Sequence, residues 1–248
     1  MRVSIFTCIF FLALSVQSNA QFSKGMRMAG ASIANIVVNS GTSEHRVVSI
    51  GGSSGTVKGY NINLSPSLGW FITDKAAVGV TLAFNPSKET TRYEAGGNTF
   101  QSDEISQLEL GLGGFLRNYF KSGGSLLPFA QVNLNGGITN TKASGFYYGG
   151  TGPAAYKQSY DSKSSDGFFM NAIFSLGGTW MVSKNIGLDL TLGYNYSYNN
   201  YTMNTTTLRD EGIDGSIEET GTNETRTRFS NNRFIFGIGF QVFLDRKK

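Results

Sequence analysis

Apolar and polar residues alternate with a period of two through most of the chain after residue 20, which is the pattern of β-strands with two unlike faces. Segment 107–120 shows it most clearly. Leu108, Leu110, Leu112, Gly114 and Leu116 take one face, while Gln107, Glu109, Gly111, Gly113, Phe115, Arg117 and Tyr119 take the other. Segment 60–70 splits the same way, with Tyr60, Ile62, Leu64, Leu68 and Trp70 against Asn61, Asn63, Ser65, Ser67 and Gly69. The pattern recurs at 78–84, 126–138, 168–182, 186–198 and 234–244. Together with 25–39, whose phase is less clear, it predicts eight strands. No helical periodicity competes past residue 20.

The connections predicted between these strands alternate in length. Residues 73–75, 121–125 and 183–185 are short and rich in Asp, Asn, Gly, Ser and Lys, the residues that turns favour. Residues 41–56, 87–104, 139–167 and 199–229 read as long polar loops that carry most of the charge. Four such loops are unusual in a compact soluble domain. Short turns at one end and long loops at the other predict an all-β, eight-stranded antiparallel up-and-down transmembrane β-barrel. An even strand number puts both chain ends on the short-turn side.

Charge placement decides which face meets lipid. Glu109, Arg117, Asp189 and Arg233 all fall on the face that carries Gly, Asn, Ser, Thr and Gln, and none falls on the Leu, Val, Ile and Phe face. A soluble barrel would need the reverse, with Lys and Glu outside. In a bilayer an outward Arg or Lys at the midplane costs about 2–4 kcal/mol. The four charges are therefore expected inside, as a lumen polar network in which Arg117 shares a height with Asp189 and Glu109 with Arg233. Aromatic residues collect at both ends of the apolar band. Trp70, Phe71, Phe120 and Trp180 lie toward the short turns, and Tyr60, Phe84, Phe168, Tyr194, Tyr196 and Tyr198 toward the loops, as two interfacial girdles would require.

Composition then sharpens the picture. Charged residues are 15% of the chain, below the roughly 25% of a typical soluble protein, while 32 glycines stand above the usual share. The N-terminus has Arg2, an apolar run at 5–16, and Ser18, Asn19 and Ala20 as a small-x-small cleavage pattern. It predicts a signal peptide at 1–20 and a barrel domain at 21–248. Cys8, the one cysteine, would leave with the signal, which excludes disulfides and cysteine metal sites in the mature chain. Without Arg2 the 21 basic residues become 20 against 17 acidic ones, a net charge of +3, too balanced for a nucleic-acid binder.

The residues resemble the outer-membrane β-barrel domain proteins of Gram-negative bacteria, of the small OmpX/OmpA-like, porin-like type. The resemblance is carried by the signal peptide, by Gly69, Trp70, Phe71, Ile72, Thr73, Asp74 and Lys75 leading into Ala77, Val78 and Gly79, by the strand from Gly113 to Phe120, and by the closing Phe236, Gly237, Ile238, Gly239, Phe240, Gln241 and Val242. It implies the cell outer membrane as location, with membrane lipids, lipopolysaccharide and the barrel-insertion machinery as partners. Members commonly end on an aromatic residue, whereas here Phe243 and Leu244 are followed by Asp245, Arg246, Lys247 and Lys248.

Candidate chemistry is sparse. The only histidine, His45, stands between Glu44 and Arg46, with Ser43 and Ser49 as candidate serine partners. Nothing orders them into a nucleophile and base. Asp210, Glu211, Asp214, Glu218 and Glu219 form an acidic run without calcium-loop spacing. No catalytic, cofactor or metal site is expected. The expected role is non-enzymatic: structure, surface binding or adhesion through the loops, with an extracellular ligand as a further partner. The alternative is a lipid A-modifying enzyme or a narrow channel.

Overall fold

The computed structural model describes residues 20–47, 51–95, 97–150 and 152–245. The predicted signal peptide lies almost wholly outside them, as do Ser49 and the last three residues. Eight long strands close into one antiparallel barrel: β1 (Arg27–Val47), β2 (Gly51–Phe71), β3 (Ala76–Ala95), β4 (Asn98–Tyr119), β5 (Leu126–Gly149), β6 (Tyr156–Met181), β7 (Ile186–Glu211) and β8 (Glu219–Leu244). Each strand pairs with its neighbours in sequence. Closure comes from β8 against β1, in register from Gly237 opposite Ala34 to Leu244 opposite Arg27. Both ends of the barrel domain therefore lie on the short-turn side, as the even count predicts. One further short pairing, Ala20–Gln21 with Gly123–Gly124, ties the start of the described chain to the β4–β5 turn.

The strands are longer than the alternation predicts. Residues 87–104, 139–167 and 199–229, expected as loops, continue the ladders almost without a break, and Gly41 to Thr56 does so up to Val47 and again from Gly51. The physical reason is that both faces of a strand meet water above the lipid. The hydrophobic period then vanishes, although Thr, Tyr and Ser still pair well in a ladder. At about 3.3 Å per residue and a tilt near 40°, the 26 residues of β8 rise about 65 Å, whereas about 25 Å spans the apolar band. The uncertain phase of β1 also has a cause, since its pairing with β2 shifts between Ala34 and Val37 and an irregularity there breaks the alternation.

The exterior is apolar through the lower part of the strands. Leu112 is 72% exposed and Phe234 78%, and Leu68, Val80, Leu134, Ile138, Leu176, Leu192 and Ile238 are exposed around the same belt. Such a surface is stable only against lipid. The inner face carries small residues where strands crowd. A Cβ on Gly113 would run into the Leu134 carbonyl and Asn135, and one on Gly79 into the Leu68 carbonyl. Phe71 departs from its expected place in the lower girdle. It is 2% exposed and points into the lumen, because its neighbour Trp70 takes the outward position.

Leu112→Arg tests the lipid-facing assignment. Placing guanidinium in the middle of the belt should destabilise the folded barrel in lipid vesicles by about 2–4 kcal/mol. Urea titration followed by gel mobility measures it. An unchanged midpoint would mean that this face meets water.

Candidate functional site

The lumen is filled in layers. Its short-turn end holds an apolar cluster of Phe22, Met26, Met28, Phe71, Ala77, Phe115, Tyr119, Leu127, Phe129, Met181 and Phe243, all buried. Phe22 comes from the segment that precedes β1. Its ring centroid lies 4.6 Å from Phe71 and 4.7 Å from both Tyr119 and Phe243. Its backbone N–H donates to the Ser122 carbonyl at 2.8 Å. The sequence pattern misses this floor. The available signal was that Leu127, Phe129, Met181 and Phe243 are large apolar residues in phase with the polar face, all close to the short turns.

Above the floor lies the ionic layer. Arg117 Nη1 sits 2.8 Å from Asp189 Oδ2, with the two side chains 5% and 3% exposed. Arg117 also donates from Nη1 to the Tyr119 hydroxyl at 3.0 Å and from Nε to Gln131, and its guanidinium lies 3.9 Å from the Phe129 ring centroid. Asp189 accepts from the Thr179 hydroxyl at 2.6 Å and from Gln241 Nε2 at 3.1 Å. Residues from β4, β5, β6, β7 and β8 thus meet around one buried ion pair. Each charge keeps three polar partners, Arg117 with Asp189, Tyr119 and Gln131 and Asp189 with Arg117, Thr179 and Gln241, which helps to offset the desolvation of a buried pair. A cavity of about 60 Å³ adjoins this layer, lined by Ser67, Thr81, Asn133, Asn135 and Thr191 among others.

Nearer the hairpins is a second, larger chamber of about 180 Å³. Asn61, Asn63, Asn85, Ser87, Gln107, Glu109, Asn171, Ser197, Asn199, Asn231 and Arg233 line it, with Phe229. Glu109 accepts from Asn85 Nδ2 at 3.0 Å and from Gln107 Nε2 at 3.1 Å. Glu109 and Arg233 share this chamber without forming an ion pair. Of the four inward charges, the structure therefore joins Arg117 to Asp189 and leaves the other two apart. The two groups sit on β4 and β8, and the amides of Asn85 and Gln107 occupy the carboxylate of Glu109 in place of Arg233.

The other candidates sit in the hairpins. His45 pairs through its backbone opposite Ser53, and Ser43 opposite Gly55. The acidic run closes the β7–β8 hairpin. Asp210 accepts from the backbone N–H groups of Asp214 and Gly215, both at 3.1 Å, and Glu218 from that of Glu211 at 2.7 Å. Gly212 and Gly215 take positive φ there, so the acids cap a tight turn. Asp214 accepts from the Ser216 N–H, and this bond holds its carboxyl below the ordinary range. Inside the hairpin extensions, Tyr160 donates to Asp103 at 2.8 Å, and burial together with that carboxylate pushes the Tyr160 phenol up to about 12. Among the described residues no group of three or more His, Cys, Asp or Glu is placed to hold a metal.

An eight-stranded closed sheet with an apolar outer belt and a polar, filled lumen defines a transmembrane β-barrel of the outer-membrane type. No protein-family model matches the chain, and no curated protein matches it in sequence. Solved structures resemble it in fold. The outer membrane protein OprG from Pseudomonas aeruginosa is 12% identical over 92% of this chain and 99% of its own, with a TM-score of 0.40. The outer membrane protein AlkL, solved in DMPC bilayers, is 13% identical over 92% and 94%, also at 0.40. The outer membrane protease OmpT from Escherichia coli is 10% identical over 92% and 97%, at 0.45.

Proposed function

We propose that this chain is an integral protein of the bacterial outer membrane, closed through its lumen and non-enzymatic, that holds four long β-hairpins outside the cell as a binding or adhesive surface. The observation that carries the reading is the continuation of the strands far beyond the lipid belt, in sequence rich in Thr, Tyr, Asn and Ser. Such hairpins are stiffer than loops and expose a large polar surface on a fixed base. The apolar floor and the ionic layer above it argue against a wide conducting path, since an eight-stranded interior is just wide enough for side chains to fill.

Charge at the rim supports contact with outer-leaflet lipids and lipopolysaccharide. Lys88, Ser106, Lys142 and Lys163 follow one another across β3 to β6 in a single register row. Lys142 and Lys163 are exposed and directly opposed, just beyond the outward-facing Ile138 and Phe168. Two lysines facing each other repel. Lipid phosphates at that height offset the repulsion between Lys142 and Lys163, whereas Lys88 is already paired with Glu104 at 2.7 Å.

The predicted loss of Cys8 with the signal makes a labelling test simple. Ser216→Cys, at the β7–β8 tip, should react with a membrane-impermeant maleimide on intact cells. Lys184→Cys, in a short turn, should react only after the outer membrane is breached. Labelling of both in intact cells would overturn the location and orientation. Trimming the four hairpins down to the belt should preserve the barrel and abolish adherence of expressing cells to a coated surface. Adherence that survives trimming removes the binding role.

A further inference from the structure

We infer that the upper chamber of the lumen is a binding site for a small, neutral, polyhydroxylated molecule, of the chemical class of a sugar or polyol. The chamber is separate from the hairpin tips and does not depend on what they bind. Its lining is dominated by uncharged groups that both donate and accept: five asparagines beyond Asn85, one glutamine and two serines, against a single carboxylate and a single guanidinium. A hydroxyl also donates and accepts, so a polyol satisfies such a wall more completely than any ion does.

The hydrogen bonds fix which atoms are presented. A carboxylate only accepts, so Asn85 and Gln107 must turn their NH₂ groups to Glu109, leaving Asn85 Oδ1 and Gln107 Oε1 for other partners. Gln107 Nε2 also donates to Thr139 at 3.0 Å. Asn63 Nδ2 donates to Asn61 Oδ1 at 3.1 Å, which frees the Asn63 oxygen and the Asn61 amide protons. Asn199 is 4% exposed and lines the chamber, and its Oδ1 has no hydrogen-bond partner among the described residues. Arg233 Nε is likewise buried and unpartnered. The groups left open on Asn61, Asn63, Asn85 and Gln107 are those that the hydroxyls of a bound ligand can pair with in place of water.

Charge narrows the class. Glu109 disfavours an anion and Arg233 a cation, and the two together leave the chamber formally neutral. Two of the about four acceptor sites of the Glu109 carboxylate already hold the amides of Asn85 and Gln107, which weakens its hold on the cationic end of a zwitterion. Phe229 adds a ring against which the C–H face of a sugar can lie.

The test uses the full mature chain refolded in a detergent without a sugar headgroup, its fold checked by heat-modifiable gel mobility. D-Glucose, D-galactose, D-mannose and sorbitol are titrated by calorimetry and by saturation-transfer NMR, with glycine betaine and inorganic phosphate as charged comparisons. At least one of the four neutral probes should bind saturably at one site per barrel. Asn199→Leu, which replaces one amide of the chamber wall with an alkyl group, should weaken that binding about tenfold or more. Asn63→Ala, at a half-buried position, gives a second reading if Asn199→Leu fails to fold, and should weaken it by several fold. Absence of saturable binding of all four by the folded protein overturns the inference. So does binding that neither variant alters, and so does a preference for betaine or phosphate.

Discussion

Asp189→Leu should be among the most damaging single changes in this chain, lowering the stability of the folded barrel by about 3–5 kcal/mol. The loss comes from what stays behind. Arg117 would remain in a site where its side chain is 5% exposed, with its charge unmatched, and the Thr179 hydroxyl and Gln241 amide would lose their acceptor. Arg117→Leu should cost a similar amount from the other side, stranding the carboxylate. Removing both charges is different. An Arg117→Leu, Asp189→Leu double variant leaves no orphan ion, and a buried pair replaced by apolar groups is often neutral or even stabilising. The double variant should therefore lie well above the sum of the two single ones. Urea titration in vesicles, followed by the fluorescence of Trp70 and Trp180, measures all three. At a slope near 2 kcal/mol per molar, a loss of this size moves the midpoint by about 2 M. Additive losses would mean that the pair is not coupled and that the layer is held by its neutral hydrogen bonds alone.

That ion pair was open to a reading of the sequence because strands have a strict period. Once Leu108, Leu110 and Leu112 are assigned to lipid, Arg117 has nowhere to point but inward, and Asp189 follows from Leu188 and Leu190 in the same way. Height along the strand was enough to match these two. It was not enough for Glu109 and Arg233. Whether two side chains on β4 and β8 touch depends on the shear of the barrel and on competing partners, and here Asn85 and Gln107 reach Glu109 instead. Period-two reading also stops where lipid stops. Above the belt it turned well-paired strands into loops, because water on both faces erases the contrast that the reading relies on. It failed again at the floor of the barrel, where apolar residues occupy inward positions. Phe71 clusters in sequence with the interfacial aromatics, yet its parity, opposite to that of Trp70, points to the lumen.

The floor carries the second large effect. Phe22→Ala should cost about 3–5 kcal/mol, the usual range for truncating a fully buried phenylalanine. Phe22 is 2% exposed and its ring is wedged among Phe71, Tyr119 and Phe243, so the space it leaves is walled by rigid rings from different strands that cannot collapse inward. What makes the value informative is that Phe22 is not in the barrel wall. If the segment before β1 merely rested on the rim, truncating it would cost little and would leave the barrel unchanged. If it is part of the core, Phe22→Ala and Phe243→Ala should be coupled. Each removes one side of the same aromatic contact, and such pairs are worth about 0.5–1.5 kcal/mol beyond their buried area. The double variant should then fall short of the summed losses by about that margin, against an error of about 0.3–0.5 kcal/mol for independent sites. The same urea titration in vesicles reads the cycle. Phe22→Leu, which keeps most of the volume, should recover much of the loss. A small effect of Phe22→Ala would show that the floor is closed by the strand residues alone. A large effect with coupling would mean that the segment before β1 is an integral part of the folded core, its ring held by Phe71, Tyr119 and Phe243 from three different strands.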